Sequence, residues 1–322
     1  MINDILQGKI EQSYKILKLA AEISKTYYKK PLVVTYSGGK DSDVVVQLAL
    51  ECLAPCDFEV MNNHTTVDAP ETVYYIRERF AELEKKGVKC AVHYPRYKDG
   101  RPMSMWSLIV DKMIPPTRIQ RYCCSVLKES TSANRFIATG VRAAESTLRK
   151  GRDVFSTRGK TKKHAYYYYY SHVEEVFRES LEMTEGGLQT ESPWDCRFIT
   201  EAKKNNELIC NPIYEWTDTD VWDYIRTREM KYNPLYDRGF LRVGCIGCPM
   251  ASNQRSELEQ YPKYKALYIK AFERMLEKRR KNGKDDAARG KWKDAEGVYK
   301  WWIGDNEAEG QMSIFDNKED DG

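Results

Sequence analysis

The chain has 322 residues and a formal net charge of +4, long enough for one large domain or one domain with an appendage, and too weakly charged to demand a polyanionic partner. Hydrophobic residues make up 41% and charged residues 31%, which suits a buried core under a polar surface, and no apolar run approaches the length of a bilayer span. The start of the chain lacks the basic-then-apolar order of a secretory signal, and nine cysteines, an odd number, argue against a disulfide framework, so a cytoplasmic location with no membrane partner is expected.

Apolar residues at helical spacing, among them Ile5, Leu6, Ile10, Leu17 and Ile23, predict a helix over 3–28 that ends before Pro31. Leu32-Val33-Val34-Thr35-Tyr36 is short, apolar and β-branched, hence a buried strand. A Ser-Gly-Gly turn follows, then a helical pattern over 44–53. Residues 58–62 predict a second strand, 70–86 a helix, 88–94 a third strand, 135–140 a fourth and 207–213 a fifth. Strands alternating with helices imply an α/β fold with a doubly wound, mostly parallel sheet. Two regions break the alternation. Residues 143–193 are polar and basic and read as an insertion, and beyond about 250 the pattern turns helical and charged, most clearly over 261–281. The expected organisation is an N-terminal helix (1–29), a nucleotide-binding domain (30–250) carrying the insertion, a basic helical appendage (251–304) and a flexible acidic tail (305–322).

A strand that runs into Ser37-Gly38-Gly39-Lys40-Asp41-Ser42 and then a helix is a phosphate-binding arrangement. Glycines let backbone N–H groups approach an anion, and the helix adds its positive N-terminal end. Ser37 and Ser42 offer hydroxyl donors. Lys40 offers a full positive charge suited to a leaving pyrophosphate. Asp41 is a candidate either to hold Mg²⁺ or to orient the loop. The spacing is not that of a Walker loop. It resembles the PP-loop of the ATP pyrophosphatases.

Further segments narrow the resemblance: Pro70-Glu71-Thr72, Arg121-Tyr122-Cys123-Cys124, Thr139-Gly140-Val141-Arg142, Asn211-Pro212-Ile213-Tyr214-Glu215-Trp216, Asn233-Pro234-Leu235-Tyr236 and Gly244-Cys245-Ile246-Gly247-Cys248-Pro249. Together they resemble the phosphoadenylylsulfate (PAPS) reductase family in its iron–sulfur branch, which includes adenylylsulfate reductases and DNA phosphorothioation sulfurtransferases. The resemblance implies an adenine nucleotide α-hydrolase-like fold. It implies that ATP or adenylylsulfate binds at residues 37–42 with Gly140 and Arg142, and that Arg142 lies near the phosphates; a surface salt bridge is the plainer alternative for Arg142. It also implies that Cys123, Cys124, Cys245 and Cys248 hold a [4Fe–4S] cluster. Thiolates suit zinc as well, so a zinc site is the alternative. The other cysteines (Cys52, Cys56, Cys90, Cys196, Cys210) read mostly as small core residues.

Reductases of this family attack sulfur with a thiol from a C-terminal Glu-Cys-Gly tail, and no cysteine follows Cys248. Their loop generally lacks the lysine found here. Lys40, Asp41 and Arg142 therefore point to cleavage of ATP between its α and β phosphates, adenylylation of a DNA or RNA acceptor, and displacement of AMP by sulfur from a donor protein such as a cysteine desulfurase. A reductase using a partner's thiol and a non-enzymatic nucleotide-sensing module are the competing expectations. Gln311-Met312-Ser313-Ile314-Phe315 resembles a peptide that docks on the replicative sliding clamp. Basic residues at 149, 150, 152, 158, 160, 162 and 163 ahead of five tyrosines at 166–170 suit phosphate contact and base stacking, or equally a solvated loop. The four histidines show no metal spacing.

Overall fold

The computed structural model describes residues 4–128, 134–145, 154–158, 207–284, 286 and 292–304. The chain divides into two units: 1–63, 70–93 and 130–243 form the first, and 64–69, 94–129 and 244–322 the second. The basic positions 149, 150, 152, 160, 162 and 163, the tyrosine run, Cys196, the acidic tail and the Gln311-to-Phe315 peptide lie outside the described residues, as does the side chain of Arg158.

In the first unit, α1 (Asp4–Ile23) buries Leu6, Ile10, Leu17, Ala20 and Ala21, one stripe of the helix, and continues as a π-helical turn, Ser24–Tyr28. Lys29, in the left-handed region at φ 53°, ends it two residues before Pro31. The remaining elements are β1 (Leu32–Thr35), α2 (Lys40–Cys52), β2 (Phe58–Asn63), α3 (Pro70–Lys85), β3 (Lys89–His93), β4 (Phe136–Ala138), β5 (Phe155–Arg158), β6 (Glu207–Cys210) and α5 (Asp218–Thr227). The strands make one sheet in the order β3-β2-β1-β4-β6-β5. All neighbours run parallel except β5, which pairs antiparallel with β6, Phe155 opposite Cys210 and Arg158 opposite Glu207. Leu32, Val33 and Val34 are 0% exposed, as expected for a central parallel strand covered on both faces. Strand order reverses between β1 and β4. In open parallel sheets the crevice beyond the strand ends at such a switch point is where ligands bind. The phosphate loop follows β1 and the segment with Gly140 and Arg142 follows β4.

Three details depart from the expectation. α2 begins at Lys40, four residues before 44, because extended Gly39 (φ −97°, ψ 156°) caps it and acidic Asp41 and Asp43 favour the positive end of the helix. β6 stops at Cys210 because Asn211-Pro212 turns the chain, with the Tyr214 N–H donating to the Asn211 carbonyl. The sixth strand, β5, lies within the stretch read as insertion; Val154-Phe155-Ser156-Thr157-Arg158 is too short and polar to carry a strand pattern of its own. Of the scattered cysteines among the described residues, Cys210 is buried in the core, Cys52 and Cys90 pack partly buried against it, and Cys56 is exposed.

The second unit is helical. It comprises α4 (Met105–Lys112), α6 (Gln254–Gln260), α7 (Pro262–Lys281) and α8 (Ala295–Trp302), with α4, α6 and α8 all packing on α7. Its centre is aromatic: Tyr268 and Trp302 rings lie 4.5 Å apart, with Phe272 5.4 Å from Trp302 and Trp106 4.8 Å from Tyr268. The Trp302 indole N–H donates to the Pro116 carbonyl at 2.7 Å, which satisfies its buried polar end. No helix among the described residues is long and apolar enough to cross a membrane.

Phe136, 0% exposed in a strand with neighbours on both edges, tests the core of the first unit. Phe136→Ala is expected to lower the unfolding free energy by about 3–5 kcal/mol, read from the denaturant midpoint of the first transition.

Candidate functional site

The phosphate loop is held from below and from the side. The Ser42 hydroxyl donates to the Gly39 carbonyl at 2.7 Å and accepts from the Ser37 N–H at 3.3 Å, closing the loop on itself. Asn233, fully buried, donates to the Gly38 carbonyl at 3.0 Å and to the Thr72 hydroxyl at 3.1 Å. The Tyr236 phenol oxygen accepts from the Lys40 backbone N–H at 3.0 Å. Gly140 presses on the loop from the end of β4: a Cβ there would stand 3.0 Å from the Asp41 carbonyl carbon and 3.1 Å from the Ser42 nitrogen, so any larger residue would push the first turn of α2 away.

That approach brings Arg142 to the loop. Its side chain is buried, with Nε 2.6 Å from Asp41 Oδ1, Nη2 3.0 Å from Asp218 Oδ1 and Nη1 3.4 Å from the Trp216 carbonyl. Lys40 is buried too. Its ammonium lies 3.1 Å from Asp218 Oδ1, 3.5 Å from Asp41 Oδ2 and 5.6 Å from the centre of the Tyr236 ring. Two cations and two carboxylates thus form one closed set, in which Asp41 ties Arg142 to the loop. Burial pushes the Asp218 carboxyl up, but Lys40 and Arg142 outweigh this and hold it below the usual range. Of the residues named from sequence, Ser37, Gly38, Gly39, Lys40, Asp41, Ser42, Gly140 and Arg142 all meet here, and Arg142 is buried rather than a surface ion pair.

Sequence reasoning missed Asp218, Tyr236, Asn233 and Asp43 as members of this site. Asn233 and Tyr236 sit in a motif quoted for its resemblance, with no chemical reason attached. Asp218 reads as an ordinary acidic residue in the first turn of α5, where Thr217 and Asp220 make a capping box. Asp43 is fully buried and accepts from Tyr36 at 2.6 Å and Tyr75 at 3.0 Å.

Burial raises the Asp43 carboxyl from an ordinary 3.8 to about 7, although Tyr36, Arg79 and Tyr75 oppose the shift. The folded protein therefore holds a proton that the unfolded chain has already lost, and stability falls as pH rises from about 4 to about 7. Urea midpoints measured across this window should show that decline, and Asp43→Asn should flatten it. An equal slope in the variant would exclude Asp43 as its source.

The second unit carries the four cysteines. Cys124 opens a π-helical turn, Cys124–Lys128, directly after Cys123, while Cys245 and Cys248 lie in a turn in which the Cys248 N–H donates to the Cys245 carbonyl at 3.2 Å. Gly247 makes that turn possible. Its φ is +70°, and a Cβ would meet Leu258, Tyr268 and Trp302 at 3.0–3.2 Å. All four cysteines line one cavity, with Thr65, Lys128 and Tyr268 on its wall. Cys245 Sγ is 3.5 Å from the Thr65 hydroxyl, and Arg121 Nη2 is 3.6 Å from Cys124 Sγ. A hydrogen bond from Cys123, with the charges of Lys128 and Arg121, holds the Cys124 thiol below the usual range, whereas Cys123 is pushed up. Among the described residues no three His, Cys, Asp or Glu side chains converge on a single-ion position. A lone zinc needs four ligand atoms within about 4 Å of one another. A four-iron cube takes one thiolate per iron and spreads them further. Four thiol donors around one cavity suit a four-iron cube, and thiolates suit zinc as well.

Residues 31–251 match the phosphoadenosine phosphosulfate reductase domain. An uncharacterised protein of Methanocaldococcus jannaschii is 26% identical over 302 residues, which cover 91% of this chain and 60% of that one, so the chain spans about three-fifths of that relative's length. An adenosine 5′-phosphosulfate reductase of Anoxybacillus flavithermus is 36% identical over 61 residues, 19% of this chain and 26% of that one. Among solved structures, the PAPS reductase of Candida auris gives a TM-score of 0.41 at 13% identity, covering 76% of this chain and 96% of that one, too distant a likeness to bear on activity. The family match takes in the phosphate loop, Arg142 and all four cysteines, and the chain belongs to the phosphoadenosine phosphosulfate reductase domain family.

Proposed function

We propose that the chain is an ATP pyrophosphatase that adenylylates an acceptor, most naturally an oxygen of a nucleic acid, for subsequent sulfur transfer. The observation that carries this reading is Lys40: a buried ammonium on the first turn of α2, beside the equally buried Arg142, where strand order reverses. Two cations held in low dielectric stabilise charge far better than in water. A pyrophosphate leaving group, on which charge develops as the α–β phosphate bond breaks, is what such a pair suits. A nucleotide whose phosphate chain is already cleaved makes less use of it. The acceptor oxygen would attack the α-phosphorus, pyrophosphate would leave, and a sulfur nucleophile delivered by a donor protein would then displace AMP.

Cys123, Cys124, Cys245 and Cys248 would hold a [4Fe–4S] cluster, which when bound supplies sulfide-binding iron or a cross-link between the two cysteine segments. The chain's own contribution there includes the positive charge of Lys128 and Arg121, which favours the thiolate form at Cys124. The local match to an adenosine 5′-phosphosulfate reductase favours a second reading, in which adenosine 5′-phosphosulfate is reduced at the expense of a partner's thiol.

Anaerobically purified protein given ATP, Mg²⁺ and DNA or RNA should release pyrophosphate, and Lys40→Ala should slow that release by about 10²–10³-fold. AMP and sulfite formed from adenosine 5′-phosphosulfate and a dithiol, with no pyrophosphate from ATP, would favour the second reading. The same preparation should contain about four iron atoms and four acid-labile sulfides per chain. Cys245→Ala should lose both, and Lys40→Ala neither; zinc in place of iron would reject the cluster.

A further inference from the structure

Asp218 occupies an unusual position in the charge set. Lys40 and Arg142 are buried, and the Asp41 side chain is 20% exposed, but the Asp218 side chain is 61% exposed. A single oxygen, Oδ1, lies 3.1 Å from Lys40 Nζ and 3.0 Å from Arg142 Nη2. Asp41 faces the same two cations from the loop itself, through separate oxygens. Asp41 is therefore a fixed part of the loop, while Asp218 reaches the cations from the solvent side at the start of another helix. Any phosphate oxygen that binds Lys40 and Arg142 competes with Asp218 for the same two donors.

We infer that Asp218 is a selectivity residue of this site, a displaceable counter-ion that admits polyphosphates and disfavours monophosphates. The inference rests on reading Lys40 and Arg142 as the phosphate ligands. A pyrophosphate group brings several oxygens and more than two negative charges, so it can take both cations and outweigh the carboxylate it displaces. A nucleoside monophosphate brings one phosphoryl group and exchanges with the carboxylate almost one for one. An AMP product would accordingly be released readily, while the polyphosphate chain of the substrate is retained.

The test is calorimetric titration of pyrophosphate and AMP into the full chain and into Asp218→Asn, Asp218→Glu and Lys40→Ala. Asn at 218 leaves the Thr217–Asp220 capping box in place, so α5 keeps its start. Asp218→Asn should bind AMP about two- to fivefold more tightly than the unaltered protein, the range expected for removing one solvent-screened carboxylate. Its affinity for pyrophosphate should rise less, so the pyrophosphate-to-AMP preference narrows. Asp218→Glu should keep the original preference, and Lys40→Ala should lose most of its affinity for pyrophosphate. A purely structural role would weaken both ligands together and leave their ratio unchanged, which would overturn the inference, as would pyrophosphate binding equally well to Lys40→Ala. Failure to release pyrophosphate from ATP, with the ratio shifted as stated, would instead count against the proposed reaction and leave the role of Asp218 standing.

Discussion

A guanidinium removed from water must find carboxylates and carbonyls at hydrogen-bond distance, or its burial costs several kcal/mol. Arg142 meets that demand with Asp41, Asp218 and the Trp216 carbonyl. Much of the first unit can be read as what is needed to supply those partners. Asp41 is in place because α2 begins at Lys40. α2 begins there because Gly39 can cap it in an extended conformation. The β4 segment comes close enough because residue 140 has no Cβ. Asn233 fixes the Gly38 carbonyl, so the loop cannot relax away from the arginine. The pairing of a guanidinium from the β4 side with a carboxylate from the β1 side is thus the physical form that the sheet's switch point takes in this chain.

Legibility from sequence followed the reach of the interactions. β1, β2 and α3 were readable because their apolar pattern is local and long enough to have a period. The phosphate loop was readable because a strand, two glycines and a helix in succession leave few other uses for a lysine. The start of α2 was misjudged by four residues, since Lys40, Asp41 and Ser42 look like loop until Gly39 is known to cap them. β5 could not be found, because what makes Phe155–Arg158 a strand is its partner β6, about fifty residues onward, and not its own composition. Asp218 and Asp43 failed for related reasons. One is a cap-region acid by position, and the other a helix residue whose burial depends on Tyr36 and Tyr75. The family itself was legible from short motifs taken together, and the match over residues 31–251 bears that out.

The cysteine-bearing unit follows a different logic. Its aromatic core comes from α4, α7 and α8, and the Cys245–Cys248 turn is pressed against that core through Gly247. The backbone is tied down as well: the Ile246 N–H donates to the Val67 carbonyl, and the Tyr268 hydroxyl to the Ile246 carbonyl. The thiols are therefore carried on a backbone held by packing and hydrogen bonds independent of any sulfur ligand. Such preorganisation of Cys245 and Cys248 would lower the entropic cost of binding the proposed cluster.

The antiparallel pairing of β5 with β6 has a consequence for how this chain tolerates change. Arg158 stands opposite Glu207, so the chain leaves the sheet and re-enters it at neighbouring points on the same edge. Closing a segment whose ends are already adjacent costs little more as the segment grows, about 0.6 kcal/mol for each doubling of its length. The β5–β6 pairing therefore depends little on the length of the connection between the two strands. The edge pair thus works as a graft point, a place where chain length can change while the Arg142 pairing is left untouched.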